Sequence, residues 1–365
     1  MDKEQSVNKK KVLQISKFYP PYKGGIELVA QMISRAHVND QVDIVSFGKD
    51  DHSYRGIYGE SVHQFKTDAF LLSTPFNFSL IYRPQSILKF KSYDEAYIHI
   101  HNPFIHFWLF LFSWAFRENG MKVTCVYHSD IFKGFIGKVF NLFFIATSFV
   151  YDEFIVSSPQ LKKNSEILKF IEREKIKVNP FPVNGEVEFI EKADFSKRLL
   201  AIGRLVPYKG FSFLIDIMNQ YPDYKLDIIG NGPMYDELRS LAGDNICLHG
   251  HVSDEEKERL IRETDVLVVP SLTNAEAYGM ISVEAFQKSI PVIASDLNTG
   301  VTFLVQNNRT GLVFKPGDKE GLLACLKTLE NKNSFVSLKH GCYDFYNEVL
   351  DFKMFQERLL SSKSL

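Results

Sequence analysis

Two glutamates, Glu276 and Glu284, flank a glycine in the stretch Glu276-Ala277-Tyr278-Gly279-Met280-Ile281-Ser282-Val283-Glu284-Ala285. Just before it, Val266-Leu267-Val268-Val269 is an apolar, β-branched run that reads as a buried strand ending at Pro270-Ser271. A helix pattern then begins near Gly279. The N-terminus of a helix offers unpaired backbone N–H groups and a partial positive charge, an environment suited to phosphate. Carboxylates before and inside that helix can accept hydrogen bonds from sugar hydroxyls. A strand-end loop that holds phosphate and hydroxyls together suits a nucleotide sugar.

Other chemistry-bearing residues are found in the first half of the chain. Lys11–Ile15 reads as a strand, and Ser16-Lys17-Phe18-Tyr19-Pro20-Pro21-Tyr22-Lys23-Gly24-Gly25 follows it, too rich in proline and glycine for a helix. Helical spacing starts at Ile26. Gly24 and Gly25 would let backbone approach a phosphate or sugar closely, although an ordinary strand-to-helix turn has the same composition. Two polar clusters end later strands: His99, His101 and Asn102 in one, His128-Ser129-Asp130 in the other. A single histidine is more often structural than catalytic; two clusters on one rim strengthen the functional reading.

The elements that must carry these residues alternate. Strand patterns at Val42–Ser46, Val62–Lys66, Ala96–His101, Lys122–Tyr127 and Phe154–Ser157 are separated by helical or loop segments. Asn179–Lys197 has no clear period and reads as a linker. Strands then resume at Leu199–Gly203, Leu226–Ile229, Cys247–Gly250, Val266–Val269, Pro291–Ser295 and Gly311–Phe314. Met234–Ala242, Asp254–Glu263, Asp318–Leu329 and Phe345–Leu360 read as helices, with Ser253 as an N-cap. Alternation of this kind predicts an α/β fold with parallel sheets and ligands at the carboxyl ends of the strands. The expected division is 1–180, 181–345 and a final helix, 346–365, that returns to the first domain.

A chain of 365 residues exceeds one ordinary core. Its 45% apolar and 24% charged content is that of a soluble globular protein, and a net charge of −1 gives no reason to expect nucleic acid. Cys125, Cys247, Cys325 and Cys342 show no metal-binding spacing and fit a reducing cytoplasm. The polar first residues do not resemble a signal peptide. Phe104–Phe116 is the most apolar run, yet at thirteen residues it is short of the roughly 20 that a span requires. Lys133–Phe149 interleaves Lys133 and Lys138 with five phenylalanines. It reads either as a core helix or as an amphipathic patch that docks on a bilayer.

Several motifs in order resemble the family 4 retaining glycosyltransferases of the GT-B fold. They are Pro20-Pro21-Tyr22-Lys23-Gly24-Gly25-Ile26-Glu27, His128-Ser129-Asp130, Gly203-Arg204-x4-Lys209-Gly210, Gly230-x-Gly232 and Glu276-x7-Glu284. The likeness is greatest to the bacterial polysaccharide and O-antigen sugar transferases, many of them mannosyltransferases. It implies two Rossmann-like domains with parallel sheets facing a central cleft. Arg204 and Lys209, next to Gly203, would neutralise the donor diphosphate, and the N–H groups of Gly279, Met280 and Ile281 would meet its phosphates. Glu284 would hold the ribose, Glu276 and His128 the transferred sugar, while Gly24 and Gly25 would bring backbone to the donor. His101, Asn102 and Asp130 are candidates for acceptor contact. Ala277-Tyr278 stands where the wider family often has Gly-Phe; Tyr278 keeps the aromatic body.

The expected reaction is sugar transfer from a nucleoside diphosphate donor to a saccharide hydroxyl with retention, with no metal or other cofactor. GDP-mannose is the donor suggested by analogy. The acceptor would be polyprenyl-diphosphate-linked, and the enzyme cytoplasmic with peripheral contact to the inner membrane. A nucleotide-sugar epimerase on the same scaffold is the main alternative. A dinucleotide oxidoreductase is disfavoured because no Gly-x-Gly-x-x-Gly follows a strand, and a binding protein would not need both glutamates and both cations.

Overall fold

The computed structural model describes residues 9–71, 74–79, 93–100, 103–113, 120–130, 134–361 and 363–365. The chain divides into two units: Met1–Ser157, Ser165–Phe181 and Phe355–Leu365 in one, Ser158–Asn164 and Pro182–Met354 in the other. Each is Rossmann-like, built on a parallel sheet. The short segment 158–164 belongs to the second unit, a crossing that the sequence pattern did not suggest.

In the N-terminal unit the strands are β1 (Lys11–Ile15), β2 (Gln41–Gly48), β3 (His52–Arg55), β4 (Ser61–Lys66), β7 (Glu95–Ile100), β8 (Lys122–Tyr127), β9 (Glu153–Val156) and β10 (Ile176–Val178). Their order is β10-β9-β8-β7-β1-β2-β4-β3. All neighbours are parallel except β3, which runs antiparallel along the edge of β4. A separate small hairpin joins β5 (Ala69–Leu71) and β6 (Thr74–Phe76). Residues of β1, β7, β8 and β9 are almost all buried, as expected of parallel strands covered on both faces. The helices are α1 (Gly25–Ala36), α2 (Pro103–Leu111) and α3 (Gly134–Thr147). The strand β1 pairs with β2 on one side and β7 on the other, so the winding reverses beside it. At such a switch point the flanking loops diverge and leave a crevice at the carboxyl ends.

After α4 (Pro159–Asn164), the C-terminal unit places β11 (Arg198–Ile202), β12 (Lys225–Ile229), β13 (Ile246–Gly250), β14 (Val266–Val269), β15 (Val292–Ser295) and β16 (Gly311–Phe314) in the order β13-β12-β11-β14-β15-β16. Here the switch point lies between β11 and β14. The helices are α5 (Phe211–Met218), α6 (Tyr235–Leu241), α7 (Asp254–Glu263), α8 (Met280–Gln287), α9 (Gly300–Leu304), α10 (Lys319–Leu329) and α11 (Lys332–Phe345). One face of the sheet packs on α5, α10 and α11 through Leu199, Ala201, Leu226, Ile228, Leu214, Ile215, Leu326 and Phe335, all essentially excluded from solvent.

The end of the chain differs from the single helix expected at 345–360. Residues Tyr346–Leu350 form a π turn, and Asp351 is extended. Its carboxylate accepts from Lys353 N at 2.8 Å and starts α12 (Phe352–Ser361) afresh. The helix α11 itself was not anticipated. In the fold a Cβ at 341 would lie 1.9 Å from the Arg309 carbonyl oxygen, so glycine is what allows the helix to pack there. Phe355 of α12 packs edge-on against Phe181, and Gln356 donates to the Ala36 carbonyl at 2.8 Å, both within the N-terminal unit.

Candidate active site

The loops after β11 and β14 adjoin at the C-terminal switch point. The first carries Gly203, Arg204 and Lys209, the second Ser271 and Glu276. Lys209 Nζ sits 2.5 Å from Glu276 Oε2, with both side chains mostly out of solvent. Ser271, fully buried directly after Pro270, donates from Oγ to the same oxygen at 3.2 Å. The Lys209 ammonium passes over Gly203, where a Cβ would lie 3.2 Å from Nζ. The two loops are also stitched by Leu272 N donating to the Tyr208 carbonyl at 2.7 Å. Arg204 is exposed, and none of the described residues pairs with its guanidinium. The two cations thus play different electrostatic parts: one is held against a carboxylate, the other presents full charge.

The helices that leave these loops begin in an unusual way. Four helices of this unit have a capping side chain: Ser253, Thr299, Asp318 and Asn331 accept from the first-turn N–H groups of α7, α9, α10 and α11. By contrast α5 starts at Gly210 and α8 at Gly279, both left-handed and without a side-chain cap. A capping oxygen would itself occupy the first-turn amides. Glycine leaves those of Met280 and Ile281 without a capping side chain and lets the chain turn sharply into the helix. At Gly210 the constraint is also steric, since a Cβ would lie 2.1 Å from the Pro270 carbonyl oxygen.

Glu284 stands one turn into α8, where its Oε2 accepts from Lys257 Nζ of α7 at 2.7 Å. Glu276 and its loop are braced from behind: Thr299 Oγ1 donates to the Glu276 carbonyl at 2.9 Å and Gly300 N to that of Ala277 at 2.8 Å. Tyr278 is buried beside them. Among the described residues, Asp227, Cys247 and His249 form the one trio able to approach a metal together. They lie mid-strand on β12 and β13, with Asp227 already taken by His249 at 2.6 Å.

In the N-terminal unit, Gly24 and Gly25 are exposed at the mouth of α1, after the switch-point strand β1. His128 follows β8 and is partly buried. Its Nε2 lies 3.1 Å from Nδ1 of His99, a fully buried residue of β7. The other nitrogen of His99 lies 3.2 Å from Gln14 Oε1 on β1. Burial pushes His99 down to about 3, so its imidazole is neutral at physiological pH. Asp130 is engaged structurally: it accepts from Tyr127 OH at 2.7 Å, Ser165 Oγ at 2.5 Å and Glu166 N at 2.9 Å. That uses most of a carboxylate's capacity and gives Asp130 a reason to be there other than acceptor contact. His101 and Asn102 lie outside the described residues. A pocket lined by Leu109, Met121, Lys122, Val123 and Asp152 opens at the amino end of β8, the wrong end of the sheet for substrate.

Three participants, Ser271, Lys257 and Gln14, went unrecognised in the sequence, and a fourth, His99, was placed in the wrong company. Ser271 and Lys257 have no motif of their own. Gln14 reads as a polar interruption in a strand. His99 was grouped with its neighbours 101 and 102, although strand alternation puts it inside the sheet layer and against β8.

Relatives match over most of the chain. The family model described as Glycosyltransferase Family 4 matches residues 23–186, and the one described as Glycosyl transferases group 1 matches 186–340. D-rhamnosyltransferase WbpZ of Pseudomonas aeruginosa is 26% identical over 340 residues, covering 87% of this chain and 86% of that protein. O-antigen chain mannosyltransferase C of Escherichia coli is 26% identical over 359 residues, 91% of each. Among solved structures, HepE of Anabaena in complex with UDP and glucose aligns with a TM-score of 0.73 at 16% identity, covering 97% of this chain and 99% of that one. Sucrose-phosphate synthase from Thermosynechococcus elongatus aligns equally well, at 0.73 and 17%, over 97% and 98%. At those identities the structures speak to the fold, which is GT-B. With a Family 4 match across the first domain and a group 1 match across the second, the chain is a glycosyltransferase of the family 4 type, a hexosyl-transferring enzyme.

Proposed function

We propose that the enzyme transfers a hexose, mannose in the first instance, from a nucleoside diphosphate donor to a saccharide acceptor, with retention at the anomeric carbon. The observation that carries this reading is the C-terminal switch point. There the Lys209–Glu276 pair lies between the loops of two glycine-started helices, with Arg204 exposed beside it. In this reading Arg204 and Lys209 take the diphosphate together with the amides of Gly279, Met280 and Ile281. An ammonium has three donors, so Lys209 can keep Glu276 while it binds phosphate. Glu276 accepts from hydroxyls of the transferred sugar, Glu284 from those of the ribose. His128 serves the transferred sugar, and Gly24 and Gly25 present backbone to the donor.

The bond from the anomeric carbon to the phosphate oxygen breaks as the acceptor oxygen bonds to that carbon on the same face. The acceptor's proton passes to the departing phosphate oxygen, which makes a separate general base unnecessary. Positive charge aimed at the leaving group lowers the barrier. The reading draws that charge from Arg204, Lys209 and the helix mouth rather than from a metal.

The names of the two full-length relatives support a place in O-antigen or other surface-polysaccharide synthesis, on a lipid-linked acceptor at the cytoplasmic face of the inner membrane. No described helix is long and apolar enough to cross a membrane. The transferase names give the epimerase alternative no support. The deciding experiment is turnover on a panel of nucleotide sugars, with and without EDTA, followed by NMR of the product's anomeric configuration. Arg204→Ala is expected to lower turnover on the preferred donor about 100-fold or more. Unchanged turnover, or an inverted product, overturns the reading.

A further inference from the structure

The contact between His128 and His99 is the outer end of a longer buried chain. Going inward, His99 meets Gln14, and Gln14 Nε2 lies 2.8 Å from Ser34 Oγ on α1. Ser34 Oγ lies 3.0 Å from Tyr19 OH, in the loop that leads to Gly24 and Gly25. Tyr19 OH donates to Glu60 Oε1 at 2.6 Å, and Glu60 Oε2 accepts from Tyr58 N at 2.9 Å. Gln14, Tyr19, Ser34, Glu60 and His99 are each at most 2% exposed, so water does not substitute for any link.

The protons in this chain can be placed by filling its shortest contacts first. Burial and the neighbouring carboxylate push the Tyr19 phenol far above its ordinary range, so its proton stays and is given to Glu60. Ser34 has one proton for Tyr19 at 3.0 Å and the Ala30 carbonyl at 3.2 Å, and the shorter contact takes it. The Ser34 oxygen is then left to accept from the Gln14 amide. Reversing that amide would make Ser34 donate to Gln14 and leave the 3.0 Å Tyr19–Ser34 contact with no proton. The Gln14 carbonyl therefore faces His99, and the single proton of the neutral imidazole sits on Nε2. Its Nδ1 can only accept, so the proton in the His99–His128 contact belongs to His128.

We propose that His99 is a positioning residue: through a hydrogen-bond chain of one polarity anchored at Glu60, it holds His128 as the Nε2–H tautomer and sets the plane of its ring. The same chain ties the Gly24-Gly25 loop to His128, because Tyr19 belongs to that loop. The consequence for catalysis rests on the functional reading above, in which His128 touches the transferred sugar; the tautomer itself does not.

The test is long-range nitrogen–proton NMR of imidazole-labelled, full-length enzyme, with His128 assigned by the signal lost in His128→Gln. The wild type is expected to show His128 with a protonated Nε2 and an unprotonated Nδ1. Gln14→Leu and His99→Phe are expected to shift it towards a mixture. In turnover, Gln14→Leu is expected to lower kcat about ten- to a hundredfold with little change in donor KM. An Nδ1-protonated His128 in the wild type, or one unaltered in both Gln14→Leu and His99→Phe, overturns the proposal. The expected spectra together with full activity in His128→Gln uphold the chain and overturn instead the role given to His128.

Discussion

Arg204 and Lys209 look alike in the sequence, two cations in one loop, yet the fold separates their tasks. Lys209 is held at 2.5 Å from Glu276, and that carboxylate is fixed a second time by Ser271. A partly buried ion pair of this kind chiefly orients its members, because desolvation offsets much of the attraction. Arg204 carries its charge unopposed by any described residue, which makes it the stronger electrostatic partner for a diphosphate. Gly210 is the hinge of this arrangement. Its φ is +73°, and a side chain would run into the Pro270 carbonyl. Gly210→Ala is expected to destabilise the C-terminal domain by about 2 kcal/mol or more. It should also raise the donor KM by prising the β11 and β14 loops apart. A calorimetric midpoint and a KM both equal to wild type would sink that account.

Among the elements, α2 and α3 show how one helix pair can be both core and surface. The sequence left open whether these aromatic stretches are interior or interfacial; in the fold one face of the pair is buried and the other is exposed. On the inner face His106 of α2 lies 2.8 Å from Tyr151 OH and 2.7 Å from Thr147 Oγ1 on α3, packed against Phe144. Burial lowers His106 to about 3, as it does His99. Both bases are neutral in the fold and titrate near 6.5 when unfolded. Between those values the unfolded chain binds more protons, so stability is complete above about pH 6.5 and is lost as pH falls towards 3. Each histidine is expected to remove about 2 kcal/mol between pH 7 and pH 5. Thermal unfolding of the wild type should therefore decline steeply over that range, and His106→Gln should flatten the decline. Equal slopes would show that His106 is already protonated in the fold or is not buried in solution.

At the scale of the whole molecule, the outer face of the same helices is the feature that bears on location. Phe107 and Leu111 of α2, Val139 and Leu142 of α3, and Phe149 just beyond are all 43% or more exposed, and Lys138 is exposed among them. Apolar groups with a lysine alongside suit the headgroup region of an anionic bilayer. This supports the proposed lipid-linked acceptor. The protein is expected to co-sediment with phosphatidylglycerol-containing vesicles, and Leu142→Glu with Phe149→Glu should release it without lowering turnover on a soluble acceptor. Wild-type protein left in the supernatant, or variants that sediment equally, would remove the membrane contact from the proposal.

Much of this architecture is written locally. Apolar runs mark β1, β2, β8, β11, β14 and β16 to within a residue or two, because strands buried on both faces tolerate little else. Ser253 announces the start of α7 in the same direct way. What stays hidden depends on partners distant in the chain. The helix α11 needs Gly341 against Arg309, β10 is only three residues long, and α12 restarts at an Asp cap inside what reads as one helix. The division of labour at the site follows the same line. Glycines 24, 203, 210 and 279, the two cations and the two glutamates stand out in the amino-acid sequence, since phosphate and hydroxyl recognition need those residue types next to strand ends. That Lys209 pairs with Glu276, that Ser271 and Lys257 brace the carboxylates, that Asp130 is consumed by a turn, and that Gln14 sets the proton on His99 were decided by tertiary structure alone. These are contacts between side chains that folding brings within 3 Å or so from loops and strands far apart, and hydrogen-bond direction depends on the whole buried set at once.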